Sequence, residues 1–261
     1  MDDDVYKMRQ DQTVTVTFPL VGSRAEALGL TAVRALAWTT TPWTLPTNLA
    51  LAVGPDIEYA VVPAGPNGTA DTEVSRESGG SPSTGTGSIT VLGAEYLLAL
   101  DLVGNYAKDL GYGSADDARA AVTRTITGRE LEGVAYDRLW DYYADAEKWG
   151  TQNAWQNLVG DNDSPTDGTG IVHQAPAYGE EDQKVCEAAG IPVIISVDDG
   201  GRFLSTVRDV EGLQVFDANK PLTQLLKAQG RLLRQASYEH SYPHCWRCRN
   251  PLIYKAVSSW F

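Results

Sequence analysis

The 261 residues carry 34 acidic against 21 basic side chains, a formal net charge of −13, and 43% of them are hydrophobic. That is enough apolar chain for one large domain or two small ones, and no apolar run approaches the length of a membrane span. The acidic balance argues against a dedicated nucleic-acid binder, which needs clustered Lys and Arg; three cysteines, one of them isolated, make no disulfide framework and suit a reducing cytoplasm.

Met1-Asp2-Asp3-Asp4 is acidic and unlike a secretion signal. Residues 1–12 read as a loosely held lead-in. Thr13 to Phe18 alternates, with Val14, Val16 and Phe18 on one face and threonines on the other, which predicts a half-buried strand. A second strand is expected over Ala32–Thr41, a third over Leu49–Val53 and a fourth over Tyr59–Val62. Strands this short and closely spaced suggest an antiparallel sheet or barrel. Residues 63–88, dominated by Gly, Ser, Thr and Pro, read as a flexible surface excursion, after which Ile89–Leu92 resumes the sheet. Glu95–Leu102 is expected to be a short helix, Ser114–Thr123 a capped helix, and Glu130–Tyr136 a strand and turn. Residues 137–167 hold Trp140, Tyr142, Tyr143, Trp149 and Trp155, read as local aromatic packing.

Two strings carry the chemistry. The first is Trp38-Thr39-Thr40-Thr41-Pro42-Trp43-Thr44-Leu45-Pro46-Thr47-Asn48. Its β-branched run favours extended backbone, and Pro42 pushes Thr41 away from helix. Thr39 and Thr41 should face one side and Thr40 the other, with the prolines holding the exit in a stiff, irregular turn. The result is a ledge of uncharged hydroxyls that both donate and accept. Read alone, it is better taken as a Thr-rich edge strand with a proline turn.

The second string is Gly168 to Asp182. Ile171-Val172 reads as a strand ended by Ala175-Pro176. Gly179 opens a helix through about Ala189, with Val185, Cys186 and Ala189 on its buried stripe and Gly190 and Pro192 stopping it. Asp182 falls in the first turn, where the helix dipole favours an ionised carboxylate, and such a carboxylate facing a pocket can bind an ammonium group. A helix-terminal acid and a core histidine are the plain alternatives for Asp182 and His173.

Beyond it, Ile191–Gly201 reads as a buried strand and turn, and Ala218–Gly230 as an amphipathic helix with Leu222, Leu225 and Leu226 inward. From Lys227 to Lys255 the chain is locally basic (Lys227, Arg231, Arg234, Arg247, Arg249 and Lys255 against Glu239). Cys245 and Cys248 form a Cys-x-x-Cys, the usual half of a tetrahedral zinc site. His244 is adjacent and badly placed to complete it, and Cys186 faces the core.

Both strings resemble motifs of the isoleucyl-tRNA synthetases. The first is similar to the threonine-rich peptide of their inserted editing domain, and His173 to Asp182 fills every position of the editing motif His-x-Ala-Pro-Ala-x-Gly-x-x-Asp. The resemblance implies an α+β, β-barrel-rich editing domain with peripheral helices over residues 1–236, and a connective Cys-x-x-Cys segment over 237–261. It implies hydrolysis of valine misattached to tRNA(Ile), because one methylene is too little for a single binding step to discriminate. On that basis Thr39, Thr40, Thr41, His173 and Asp182 are the candidate catalytic residues. Asp182 would hold the substrate ammonium, the threonines would place ester and water, and ledge amides would stabilise the oxyanion. His173 would be either a wall against isoleucine or a base. Trp43, Thr44 and Asn48 would shape the pocket.

The resemblance further implies tRNA(Ile) as partner, a monomer, a cytoplasmic home, and no cofactor for the hydrolysis. Zinc at Cys245 and Cys248 is expected only where upstream cysteines of a full-length protein complete the site. The family's synthetic motifs, His-x-Gly-His and Lys-Met-Ser-Lys-Ser, do not occur, so an excised editing domain without ATP use is expected. Three rivals remain: a hydrolase with a Thr or Cys nucleophile, a non-catalytic tRNA-docking module built on the basic C-terminal segment, and an editing domain of a valyl or leucyl system. The Thr41-Pro42-Trp43 string disfavours the last.

Overall fold

A computed structural model describes residues 5–68, 93–160 and 168–257. The expected strand Ile89–Leu92 and most of the 63–88 excursion lie outside these residues. The strands are β1 (Tyr6–Val21), β2 (Val33–Thr39), β3 (Ala50–Val53), β4 (Glu58–Pro63), β5 (Glu95–Ala99), β6 (Arg124–Thr127), β7 (Ala135–Tyr136), β8 (Asn157–Val159), β9 (Ile171–Gln174) and β10 (Leu232–Pro243).

Seven of them form one sheet in the order β10-β1-β2-β5-β4-β6, with β7 pairing β1 off that path; β8-β3-β9 form a second. The larger sheet curls over a core in which Val14, Val16, Phe18, Ala35, Leu51, Tyr59 and Leu97 are all shielded from solvent. Helices lie around it. The architecture is α+β with a half-barrel sheet, as the resemblance implied; the sheet is not purely antiparallel, since β2 and β5 run parallel. Among the described residues no helix is long and apolar enough to cross a membrane.

Several expectations need correction. Residues 6–12 are not a loose lead-in: β1 begins at Tyr6 and pairs antiparallel with β10, Tyr6 opposite Pro243 and Val14 opposite Gln235. Its partner lies more than two hundred residues away, so nothing local announces it. β10 itself runs unbroken through residues 236 and 237. Glu95–Leu102 is not a helix: β5 sits between β2, to which it is parallel, and β4, to which it is antiparallel. Tyr96 to Leu98 are fully buried, and a short all-apolar run buried on both faces has no period that separates strand from helix. Ile191–Gly201 makes no ladder, only an isolated bridge from Val197 to Phe203.

Nor is Thr13–Phe18 half-buried: Thr13, Thr15 and Thr17 are shielded as fully as Val14, Val16 and Phe18, because both faces of β1 are covered. Other elements agree more closely with the reading. Ser114 caps Ala115–Ala120 by accepting from the Asp117 amide at 3.1 Å. The expected Glu130–Tyr136 strand does not form as such: Glu130 and Leu131 lie in the short helix Gly128–Leu131, where Glu130 accepts from the Thr127 amide, and only Ala135–Tyr136 pair as β7. The last long helix, Val215–Ala228, buries Leu222 and Leu226 completely and Leu225 in part.

Candidate active site

The proline-bound exit from β2 is a 3-10 helix, Pro42–Thr47, rather than an irregular turn. Proline suits the first position of such a helix, since it has no amide hydrogen to leave unpaired. The 3-10 helix delivers the chain into β3, and β3 pairs antiparallel with β9, Leu51 opposite His173. That pairing brings the two sequence strings together. Gly179 then caps the helix Glu180–Ala188, which places Asp182 in its first turn.

Thr39, Thr41, Thr44, His173 and Asp182 converge on one cavity of about 210 Å³, walled also by Trp38, Val172, Ala175, Tyr178 and Gly179. Larger clefts of about 660 and 430 Å³ lie around Asn105 and Arg234. The smaller of these shares Trp38 with the site. Neither gathers an imidazole, hydroxyls and a carboxylate, so the 210 Å³ cavity is the candidate site.

The threonine hydroxyls form a ladder. Thr39 Oγ1 lies 3.1 Å from Thr41 Oγ1, which lies 3.3 Å from Thr44 Oγ1. Thr39 Oγ1 accepts from the Thr41 amide at 3.0 Å, and Thr44 Oγ1 donates to the Thr41 carbonyl at 2.8 Å. The Thr44 amide also donates to that carbonyl. The amides of Thr41 and Thr44 are therefore committed within the ledge, so an oxyanion would have to be met by other ledge amides. Thr40 does not line the cavity; it lies just past the end of β2, which closes at Thr39.

His173 is 7% exposed, and burial pulls its pKa down from 6.5 to about 4. At neutral pH the ring is uncharged, so one nitrogen donates and the other accepts. Nε2 is 2.8 Å from Thr44 Oγ1, and Nδ1 is 3.3 Å from Asn48 Nδ2. An amide nitrogen can only donate, so Nδ1 accepts and Nε2 carries the hydrogen. Both nitrogens are then occupied, and no lone pair faces the cavity.

Asp182 is largely buried; desolvation raises its pKa, offset in part by the Ala175 amide, which donates to Oδ2 at 2.8 Å. A carboxylate held in this way costs free energy unless a cation meets it. Among the described residues no Lys or Arg lines the cavity.

Trp43 and Asn48 stand one layer behind the cavity and do not line it. Trp43 meets the wall residue Tyr178 edge to face, centroids 4.9 Å apart. Reasoning from sequence missed Trp38, Val172 and Tyr178 as wall residues, although Tyr178 falls inside the second string.

The remaining candidates do not join the site. Cys186 is fully buried, and burial pushes its thiol up to about 12, which leaves no thiolate nucleophile. Among the described residues no group of three or more His, Cys, Asp or Glu could hold a metal ion. Cys245 and Cys248 lie together, the Cys248 amide donating to Cys245 Sγ at 3.5 Å, and backbone amides lower the Cys245 pKa. His244 turns Nδ1 to the Tyr242 carbonyl. Two thiols fit half of a tetrahedral zinc site, not a whole one. At least three of the six basic residues of the C-terminal segment form ion pairs within the fold: Arg231 with Asp137, Arg234 with Asp109 and Lys255 with Asp199.

The fold is that of aminoacyl-tRNA synthetase editing domains. The Plasmodium knowlesi cytosolic leucyl-tRNA synthetase editing domain superposes with a TM-score of 0.56 at 11% identity, over 89% of this chain and 97% of that one. A structure described as GlLeuRS-CP1 gives 0.52 at 14% identity, over 88% and 100%. No family model matches the chain. In sequence, the chain corresponds along its whole length to a segment of isoleucine--tRNA ligases. It is 78% identical over 261 residues to the isoleucine--tRNA ligase of Leifsonia xyli subsp. xyli and 47% identical to that of Tropheryma whipplei. It spans about 22% of the length of these relatives.

Proposed function

We propose that this chain hydrolyses the ester of valine misattached to tRNA(Ile), as the post-transfer editing domain of an isoleucyl-tRNA synthetase. The observation that carries this reading is the convergence of the hydroxyl ladder, a neutral imidazole and a carboxylate on one small cavity. Drug-sized ligands occupy pockets of about 300–1,000 Å³. A 210 Å³ cavity suits an amino acid and its ester, with the nucleotide lying outside.

In this reading Asp182 pairs with the substrate ammonium. Thr39 and Thr41 turn hydroxyl oxygens to the water and the ester. His173 closes the end of the cavity against a side chain one methylene longer than valine, the discrimination that a second, smaller site supplies. Thr44 and Asn48 hold His173 rather than touch substrate, and Thr40 has no direct part. The hydrolysis draws on no metal or ATP, and zinc belongs to a site completed by residues outside this chain. The partner is the aminoacyl 3′ end of tRNA(Ile), met by a monomer in the cytoplasm. The internal pairing of Arg231, Arg234 and Lys255 favours a catalytic domain over a docking module.

The test is deacylation of valyl-tRNA(Ile) by this chain beside Asp182→Asn. That variant keeps an acceptor for the Ala175 amide and loses the charge. Cleavage by the parent and a loss of about a hundredfold in the variant support the reading. Equal rates would remove Asp182 from ammonium recognition, and no cleavage by the parent at high concentration would refute hydrolysis by this chain.

A further inference from the structure

The donor pattern around His173 continues behind the site, to a residue that no part of the proposed chemistry uses. Tyr136, on β7, is 3% exposed, and its hydroxyl donates to Asn48 Oδ1 at 2.8 Å. On the other side of the same amide, Asn48 Nδ2 donates to the Ala50 carbonyl at 2.9 Å. Both ends of the Asn48 amide are thereby specified. A donor meets its oxygen and an acceptor meets its nitrogen, so a flip would oppose two carbonyl oxygens and strand the tyrosine hydrogen.

The consequence runs in one direction. Tyr136 donates to Asn48, Asn48 to His173 Nδ1, His173 Nε2 to Thr44, and Thr44 to the Thr41 carbonyl. Because the Thr44 hydrogen is spent on that carbonyl, the 3.3 Å contact between Thr41 and Thr44 can form only with Thr41 as donor. The 3.1 Å contact then has Thr39 donating to Thr41. All three hydroxyl hydrogens point into the protein. Only lone pairs are left for the cavity.

We propose that Tyr136 is a positioning residue that sets the polarity of the threonine ledge. By fixing the Asn48 amide it holds His173 in the Nε2–H tautomer, so that Thr39 and Thr41 meet a ligand as acceptors. The ledge is then matched to something that donates, namely a water or a ligand O–H or N–H. An acceptor bond from the ledge turns a water's remaining lone pair away from the threonines and towards the cavity, where an ester carbon can take it. In the opposite tautomer Thr44 would donate to Nε2, the Thr41 carbonyl would lose its hydroxyl donor, and the ladder could reverse.

The tautomer can be read without substrate, from ¹⁵N-labelled histidine by long-range ¹H–¹⁵N NMR, with the His173 signals assigned through His173→Gln. The parent is expected to show Nδ1 as the unprotonated nitrogen and Nε2 as the protonated one, unchanged from pH 6 to 8. Tyr136→Phe keeps the ring, which packs edge to face on Phe18 at 5.2 Å, and removes only the hydroxyl. It is expected to mix the two tautomers and to slow valyl-ester cleavage about tenfold. A wholly Nε2–H imidazole with parental rates in Tyr136→Phe would overturn the proposal. Asn48→Asp provides a second test, should Tyr136→Phe fail to fold: a carboxylate facing Nδ1 must bring a hydrogen to Nδ1, and a His173 protonated at Nε2 alone would equally overturn it. The rate arm rests on the editing reading; the NMR arm does not. An inactive parent with the expected tautomers would therefore refute the editing reading alone.

Discussion

Lowering the pH should destabilise this chain through His173, by an amount that follows from its burial. The imidazole falls from an ordinary 6.5 to about 4 in the folded state. The unfolded chain therefore takes up a proton that the folded chain refuses. The stabilisation is complete above pH 6.5 and is lost as the pH falls towards 4. Over the whole window it amounts to about 3 kcal/mol, of which about 2 kcal/mol is gone by pH 5. His173→Gln keeps polar atoms at the site and cannot protonate. The assay is urea unfolding of both proteins at pH 7.5 and 5. The parental midpoint should fall by about 1 M more than that of the variant, for a slope of about 2 kcal/mol per molar urea. Other groups that titrate in this range are common to both proteins and cancel in the comparison. Equal losses would mean that His173 protonates freely in the folded state, which would break the argument that it stands neutral with both nitrogens occupied.

Further outcomes follow from single contacts. Asp182 rises in the folded state, so binding of an amide-linked, uncleavable valyl-adenosine should weaken as the pH falls through a midpoint above 3.8, as read by calorimetry. Tyr59 is fully buried, donates to the Gly170 carbonyl at 2.8 Å and accepts from the Gly54 amide at 2.9 Å. Tyr59→Phe leaves both partners unpaired and should cost about 2 kcal/mol, seen as a melting point lower by about 6 °C. A Cβ at Gly128 would lie 2.0 Å from the Gly54 carbonyl oxygen, so Gly128→Ala should lose about 3 kcal/mol or more in urea melts. Cys186→Ala should cost about 1–2 kcal/mol in stability and leave deacylation unchanged; an inactive variant would revive a cysteine nucleophile.

The candidate site was legible because its chemistry lies in two short strings whose local rules are strong. The proline that ends the threonine run marks where β2 gives way to the 3-10 helix, and helix capping sets Asp182 at the start of Glu180–Ala188. What joins the strings is β3 pairing with β9, and no local pattern encodes that contact. The same limit hid the β1–β10 ribbon and the identity of β5, whose burial between two strands erases any period. Tyr136 was invisible for a related reason. It sits on a two-residue strand, and its meaning depends on an amide eighty-eight positions away. Asn48 was expected to shape the pocket by touching the ligand; it acts through His173, because the chain turns it inward after the 3-10 helix.

The central claim is that the cavity selects against a longer side chain by means of a neutral histidine wall. The most direct measurement is the ratio of valyl- to isoleucyl-tRNA(Ile) deacylation by the parent and by His173→Ala. The account predicts that the parent cleaves the valyl ester and spares the isoleucyl ester, and that His173→Ala cleaves both. A variant inactive on both esters while still folded, or one that still spares the isoleucyl ester, would contradict it.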